Sequence, residues 1–588
     1  MTVLKTYQSA KYRSLGLVGQ GQFGQVYCAI HRKSGRLVAL KNLNRDRFPT
    51  HQFLREFRFL LSLDHPHIAN CLALDQSGSG RQLVLDYCEG GTLRDLMEQG
   101  TQLTLAEILT LTTEILSALE HAHAKGLIHC DIKPENILLS LSPHGWRAKV
   151  SDFGIARLSQ EYQGKDKGAT GSPAYMAPER FYFQFSAASD LYAVGIMLYE
   201  LLLGDRPFSG NYNQLMVCHL NHAVKLPDSL PVSIQAILKK ATEKLTPRRY
   251  RSATDMKAAI LKVRKTLTAG DLRERFPKIA ALKTVGSFAP QEPVQLPDRC
   301  SALALLNATD ALPQLLTAHG HQLYGWSLTN TQTLDSERPA ATWDFDAPIT
   351  QLCQVPSGVL VVTQNQLHLL TTSSLVTLAT FNTAIAVLPG GQQWAIVQSL
   401  ASPRRLWAVN THHSSPIIRE LPTEDEQVPT TAAMLDDRHY AIASQQDKQS
   451  HLHVLSRKGQ SLGKVSVQTN IHHLFASQKP GSCIALAGTK QQDFLVIRIK
   501  PYRIMRCRLD IVPHWFGELV TGYVAISQKG EMRLINYYGQ LIGQINDLPI
   551  PEAVCFHPPH GLWIVSQQGQ DTCLHHIDLQ ALGLDLIF

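Results

Sequence analysis

Long apolar runs are missing from this 588-residue chain. The most apolar stretch, LYAVGIMLYELLLG, is interrupted by Glu200 and is too short to span a bilayer. The opening residues, MTVLKTYQSAKYRS, hold no apolar core of signal-peptide length, so a soluble protein without a membrane span is expected. None of the 11 cysteines forms a C-x-x-C pair, which argues against a zinc site and a disulfide framework. Reduced thiols in a cytoplasmic protein are the expectation. Dense basic runs are also missing, so nucleic acid is not an expected partner. The excess of positive charge sits in front: residues 1–270 hold 33 lysines and arginines against 23 acids, the remainder 23 against 25. A basic front half suits anionic ligands such as nucleotides, or is a solvated face. The length exceeds what one hydrophobic core organises, so at least two domains are expected.

What is present begins with glycine. YRSLGLVGQGQFGQVYCAIHRKSGRLVALKNL reads as a strand, a glycine-rich turn, a second strand, a Lys-Ser-Gly turn and a third strand. The candidate phosphate loop is Val18, Gly19, Gln20, Gly21, Gln22, Phe23, Gly24, Gln25 and Val26, in which three glycines let backbone amides approach a phosphate chain. The glycines lie between two β-type runs, not before a helix as a dinucleotide fingerprint requires. The next strand ends in VALK, whose Lys41 is a cation able to reach phosphates. HQFLREFRFLLSLDHPHI then has a helical stripe of Phe53, Phe57 and Leu60. Glu56 lies beside that stripe, as an ion-pair partner for Lys41 or as a solvated helix residue. LVLDYCEGGTL reads as a buried strand ending in a connector, where backbone groups of Asp86, Tyr87 and Cys88 can meet an adenine edge.

LIHCDIKPENILL places Asp131, Lys133 and Asn136 at the offsets of a kinase catalytic loop. Taken with the motifs before and after it, in order, the chain resembles the eukaryotic-type (Hanks-type) serine/threonine protein kinases of bacteria. The match covers residues 10–268 and rests on GQGQFGQV, VALK, the helix glutamate, HCDIKPEN, SDFG, SPAYMAPE, SDLYAVGIMLYELL and RRYRSA. The resemblance implies an α+β bilobal fold, a small β-rich lobe over a larger helical lobe, with ATP in the cleft and Mg2+ or Mn2+ beside it. It implies that Asp131 accepts or orients the proton of a protein Ser/Thr hydroxyl and that Lys133 offsets charge on the transferring phosphoryl group. Asn136 and Asp152 are then the metal residues. Glu179 is implied to pair with Arg249 of RRYRSA, and Asp190 to anchor the catalytic loop. One letter departs from the pattern: Cys130 replaces the family's arginine, as in members that need no activation-loop phosphate. Ser159, Thr170 and Ser172 lie between Asp152 and Glu179, with Thr170 the candidate phosphosite and Ser172 in the substrate-loop position. The rival reading is a pseudokinase, an ATP-switched scaffold. Such proteins usually lose the lysine, the loop aspartate or the DFG aspartate; here Lys41, Asp131 and Asp152 are all present.

Prolines 277, 290, 293 and 297 mark residues 269–298 as a linker. Across 299–588, short apolar runs alternate with turn signals in about seven units, and the units near Tyr440 and Tyr523 align, ending in KGQSLGKV and YGQLIGQI. That period resembles a WD40-like β-propeller, with seven blades, although TWDFD holds the lone Trp-Asp pair. A β-sandwich pair or another solenoid is the alternative. A propeller implies a docking or sensing surface for a protein or ligand that the sequence does not name.

Overall fold

The computed structural model describes residues 11–578 apart from 22–23, 44–56, 58–59, 78–79, 154–171, 278–292 and short loop stretches of the C-terminal half (307–312, 329–333, 335–337, 389–393, 403, 412–416, 422–428, 447–448, 478, 480, 489, 520–521, 538 and 558–560). The chain divides into two compact units, Met1–Ala280 with Lys500–Ile504, and Ala281–Ile499 with Met505–Phe588.

The first unit opens with an antiparallel sheet ordered β1-β2-β3-β5-β4, from β1 (Tyr12–Gly21), β2 (Gly24–His31), β3 (Leu37–Leu43), β4 (Cys71–Ser77) and β5 (Gly80–Asp86). Side chains alternate across a strand, and β3 uses both faces. Val38 and Leu40 join Tyr12, Ala29 and Val84 in a small core, while Ala39 and Lys41 face a cleft with Val26 and Leu83. A one-residue slip of β3 would send Lys41 into that core.

Helices follow: α1 (Leu93–Glu98), α2 (Leu105–Ala124), α3 (Ala187–Leu203), α4 (Tyr212–Asn221), α5 (Val232–Ala241) and α6 (Ala253–Thr266). Thr104 and Glu107 form a capping box that starts α2, whose stripe of Leu105, Ile108, Leu109, Ile115, Leu116 and Leu119 is fully buried. Helix α3 is apolar on nearly every side, and it is buried on nearly every side. Its Gly195 fits because an added β-carbon would come within 2.8 Å of the Ala241 β-carbon on α5.

The ordered part of this unit runs beyond residue 268, where the proline pattern predicts a linker. Thr268 caps a further helix, α7 (Ala269–Arg273), and Asp271 returns the bond to the Thr268 amide. Arg275–Phe276 then pairs antiparallel with Leu103–Thr104, and Phe276 is 2% exposed. A buried aromatic ties this segment to the helical lobe despite the proline that follows.

Acid should loosen this unit by a traceable route. His219 of α4 is 0% exposed, and burial, helped by Lys244, pushes its imidazole down to about 4. Its folded pKa lies below the unfolded one, so its contribution is complete above about pH 6.5 and is lost as pH falls toward 4, by roughly 1.4 kcal/mol per pH unit. Between pH 7 and 5, the melting temperature should fall less in His219→Gln than in the parent chain, once both are referenced to pH 7.

The C-terminal half contains seven four-stranded sheets among the described residues. Six are built from consecutive strands. The seventh combines the last three strands, Pro551–His557, Gly561–Gln568 and Asp571–Asp578, with the first strand of the unit, Val294–Leu296. Apolar clusters sit between successive sheets. One joins Leu360 and Leu369 to Val387 and Val397; another joins Ile396 and Leu406 to Met434 and Tyr440. A further cluster joins Leu303, Leu315 and Trp326 of the first consecutive sheet to Cys555, Trp563 and Leu574 of the last. The internal similarity of the Tyr440 and Tyr523 units has a structural counterpart. Both tyrosines begin second strands, and both sheets carry a register shift between the third and fourth strands, at Val454/Leu455 and at Leu534/Ile535. All 11 cysteines are free, and among the described residues no helix is long and apolar enough to cross a membrane.

Candidate active site

The glycine-rich turn is the tip of the β1–β2 hairpin. Gly19 pairs with Val26, Gln20 with Gln25 and Gly21 with Gly24, while Gln22 and Phe23 lie outside the described residues. Gly24 has φ +137°, a conformation that side chains disfavour. The cleft beneath is walled by Val18, Val26, Ala39 and Leu138, with Asp86, Tyr87 and Cys88 along one edge. The Asp86 carboxylate does not serve that edge. It accepts from Arg36 at 2.7 Å and Lys149 at 2.9 Å, which leaves backbone groups to face a ligand. Burial pushes the Cys88 thiol up to about 12, so it is an inert apolar wall.

Lys41 is 5% exposed, and its Nζ lies 2.6 Å from Oδ1 of Asp152. Glu56, its expected partner, lies outside the described residues. Asp152 has φ +62°, the left-handed region, and Phe153 beside it is buried edge-on against His129 at 4.7 Å. Burial alone would raise the Asp152 carboxyl, but Lys41 outweighs it and holds the group below the usual range.

Asp131 sits where three donors converge. Its Oδ2 accepts from Lys133 Nζ at 2.8 Å and Asn136 Nδ2 at 3.0 Å, and its Oδ1 from the Ser172 amide at 3.2 Å. The loop is fixed from below by α3: Asp190 accepts the His129 and Cys130 amides at 2.9 Å each. His123 meets the same carboxylate at 2.8 Å. The sequence therefore brings Asp131, Lys133, Asn136 and Ser172 together, and pairs Lys41 with Asp152 in the neighbouring cleft, where the Lys133 charge reaches Asp152.

Glu179 and Arg249 form a two-pronged pair at 2.7 Å on each arm, and the Arg249 side chain is 0% exposed. Although burial opposes it, Arg249 and Ser189 hold the Glu179 carboxyl below its usual range. Sequence reasoning missed two supports. His129 accepts from the Asp131 amide at 3.2 Å and bonds the Ser151 carbonyl at 2.7 Å, so it orients both sides of the site. Its only signal is its place two residues before Asp131. Arg94 of α1 bridges Glu135 and Glu200 at 3.0 Å each and also bonds the Tyr175 hydroxyl. That network joins residues far apart in the chain and has no local pattern to find.

Residues 12–263 match the family model for the protein kinase domain. Over 263 residues the chain is 36% identical to the serine/threonine-protein kinase PrkC of Bacillus subtilis, covering 43% of this chain and 40% of that protein. It is 33% identical over 260 residues to the probable serine/threonine-protein kinase PknB of Lactococcus lactis, covering 42% of this chain and 41% of that one. Serine/threonine-protein kinase D2 of Rattus norvegicus is 39% identical over 201 residues, which is 33% of this chain and 22% of that protein. The chain thus spans about two fifths of the length of the bacterial relatives it matches. The matched segment, residues 12–263, lies within the N-terminal unit.

Proposed function

We propose that this chain transfers the γ-phosphate of ATP to Ser or Thr hydroxyls of proteins, and that its all-β half is a seven-bladed propeller that docks substrates or receives a signal. One observation carries the first part: Asp131 is held by Lys133, Asn136 and the Ser172 amide, and that same Lys133 acts electrostatically on Asp152, the partner of Lys41.

The residues fit a nucleotide. Aliphatic walls suit a purine, backbone groups of residues 86–88 suit its polar edge, and Lys41 in the same cleft is a cation for the α and β phosphates. The Asp152 carboxylate and the Asn136 amide oxygen are hard donors of the kind Mg2+ takes. Among the described residues no cluster of three or more His, Cys, Asp or Glu stands ready for a metal, so a cation here would share these two side chains with phosphates and water. When bound, magnesium supplies neutralisation of the phosphate charge. Asp131 orients the acceptor hydroxyl and takes its proton, while Lys133 offsets negative charge on the moving group. Phosphoryl transfer needs alignment and charge compensation more than covalent help, and these side chains provide both.

Three features support the propeller: seven sheets of four strands, apolar clusters between successive sheets including the last and first, and an N-terminal strand that completes the final sheet. The docking role rests on fold analogy alone. Phosphopeptides that disappear from the native host on Asp131→Asn would name the substrates.

Because Cys130 carries no charge for an activation-loop phosphate to neutralise, the enzyme should act without prior phosphorylation. Thr170, which lies outside the described residues, is the residue to change. Thr170→Ala is expected to keep most activity, and phosphatase-treated enzyme to start without a lag. A large loss restored by Thr170→Glu would show that phosphate control operates.

A further inference from the structure

Cys130 has φ +67°, in a region that residues bearing a β-carbon adopt only when the surroundings hold them there. Its amide is held by Asp190 at 2.9 Å. Its carbonyl is held from another direction, by the Nη1 of Arg180. Arg180 is 7% exposed, and its guanidinium lies 4.6 Å from the centre of the Phe185 ring. Its backbone belongs to the turn Pro178–Tyr182, whose Glu179 is bound by Arg249 and Ser189. A permanent cation on an anchored turn therefore grips the peptide immediately before Asp131.

We propose that Arg180 is a positioning residue for Asp131, acting through the Cys130 carbonyl and serving as a built-in substitute for the cation-and-phosphate lock that Cys130 cannot form. The inference rests on the phosphotransfer reading above. A guanidinium stays charged at any physiological pH and makes a charge-assisted bond, so the hold needs no modification to engage. Arg180 shares a small cavity with Cys130, Asp131 and Ser172 and is not among the residues that line the nucleotide cleft, so its loss should act on turnover and spare ATP binding.

The test uses the full chain, phosphatase-treated, with a generic protein acceptor. Arg180→Met should lower kcat about tenfold or more while ATP affinity stays within about twofold, and Arg180→Lys should recover much of the loss. If Arg180→Met does not fold, Arg180→Gln is read by the same split. Undiminished kcat in the folded Met or Gln variant overturns the proposal. So does a fall in kcat matched by an equal fall in ATP affinity, which marks general damage. An inactive parent chain would instead overturn the phosphotransfer reading, and an active parent indifferent to Arg180 would overturn this inference alone.

Discussion

Lys41→Ala and Asp152→Ala should each lower phosphotransfer about 10³-fold or more, equivalent to roughly 4 kcal/mol of transition-state stabilisation. The two groups lie 2.6 Å apart, and Lys41 is 5% exposed where it faces the cleft. On the proposed reading, alanine at 41 removes the ammonium that meets the phosphates. Alanine at 152 removes a carboxylate whose pKa Lys41 holds down and, on the proposed reading, an oxygen donor for magnesium. The loss should appear in kcat, because these charges matter most as negative charge redistributes during transfer. Steady-state kinetics with circular dichroism on each variant checks this. Near-parental turnover in either would remove that residue from the mechanism.

The second large effect is on stability. Arg249→Met should destabilise the kinase unit by roughly 3–5 kcal/mol, since removing one member of a buried pair leaves the other charge uncompensated. Arg249 also donates to the Glu243 and Lys244 carbonyls at 2.6 and 2.9 Å, and those acceptors would lose it too. The Glu179 pKa is lowered in the folded state, so its contribution is present above the ordinary glutamate range near pH 4.3 and is lost as pH falls toward the folded value. Urea unfolding should therefore show Arg249→Met weakened at pH 7, with the gap from the parent closing below about pH 4. Replacing both members with methionine should cost less than Arg249→Met alone.

Residues that act through short-range spacing are legible in the amino-acid sequence. The offsets of Asp131, Lys133 and Asn136 within one loop carry their geometry with them, as do the hairpin glycines and the strand alternation that turns Lys41 into the cleft. The all-β character of the C-terminal half is legible for the same reason, because strand and turn signals are local. The packing of residues 269–277 is not: four prolines suggest a linker, and only the long-range pairing of Arg275–Phe276 with Leu103–Thr104 reveals it. Arg94 with Glu135, Glu200 and Tyr175, and Arg180 with Cys130, are hidden for a similar reason. Each joins an arginine to groups from separate elements, and an arginine on a helix or turn looks the same in sequence whether it is solvated or buried. Asp86 misleads in the opposite sense, since its position suggests the nucleotide while its side chain is engaged by Arg36 and Lys149.

The most direct test is phosphate transfer from labelled Mg-ATP to casein by the full chain and by Asp131→Asn, side by side, with the labelled amino acids identified. Phosphoserine or phosphothreonine from the parent chain, with at least about a 10³-fold loss in the variant and ATP still bound by both, is the predicted result. Equal labelling by both, or no labelling by a folded, ATP-binding parent, would contradict it.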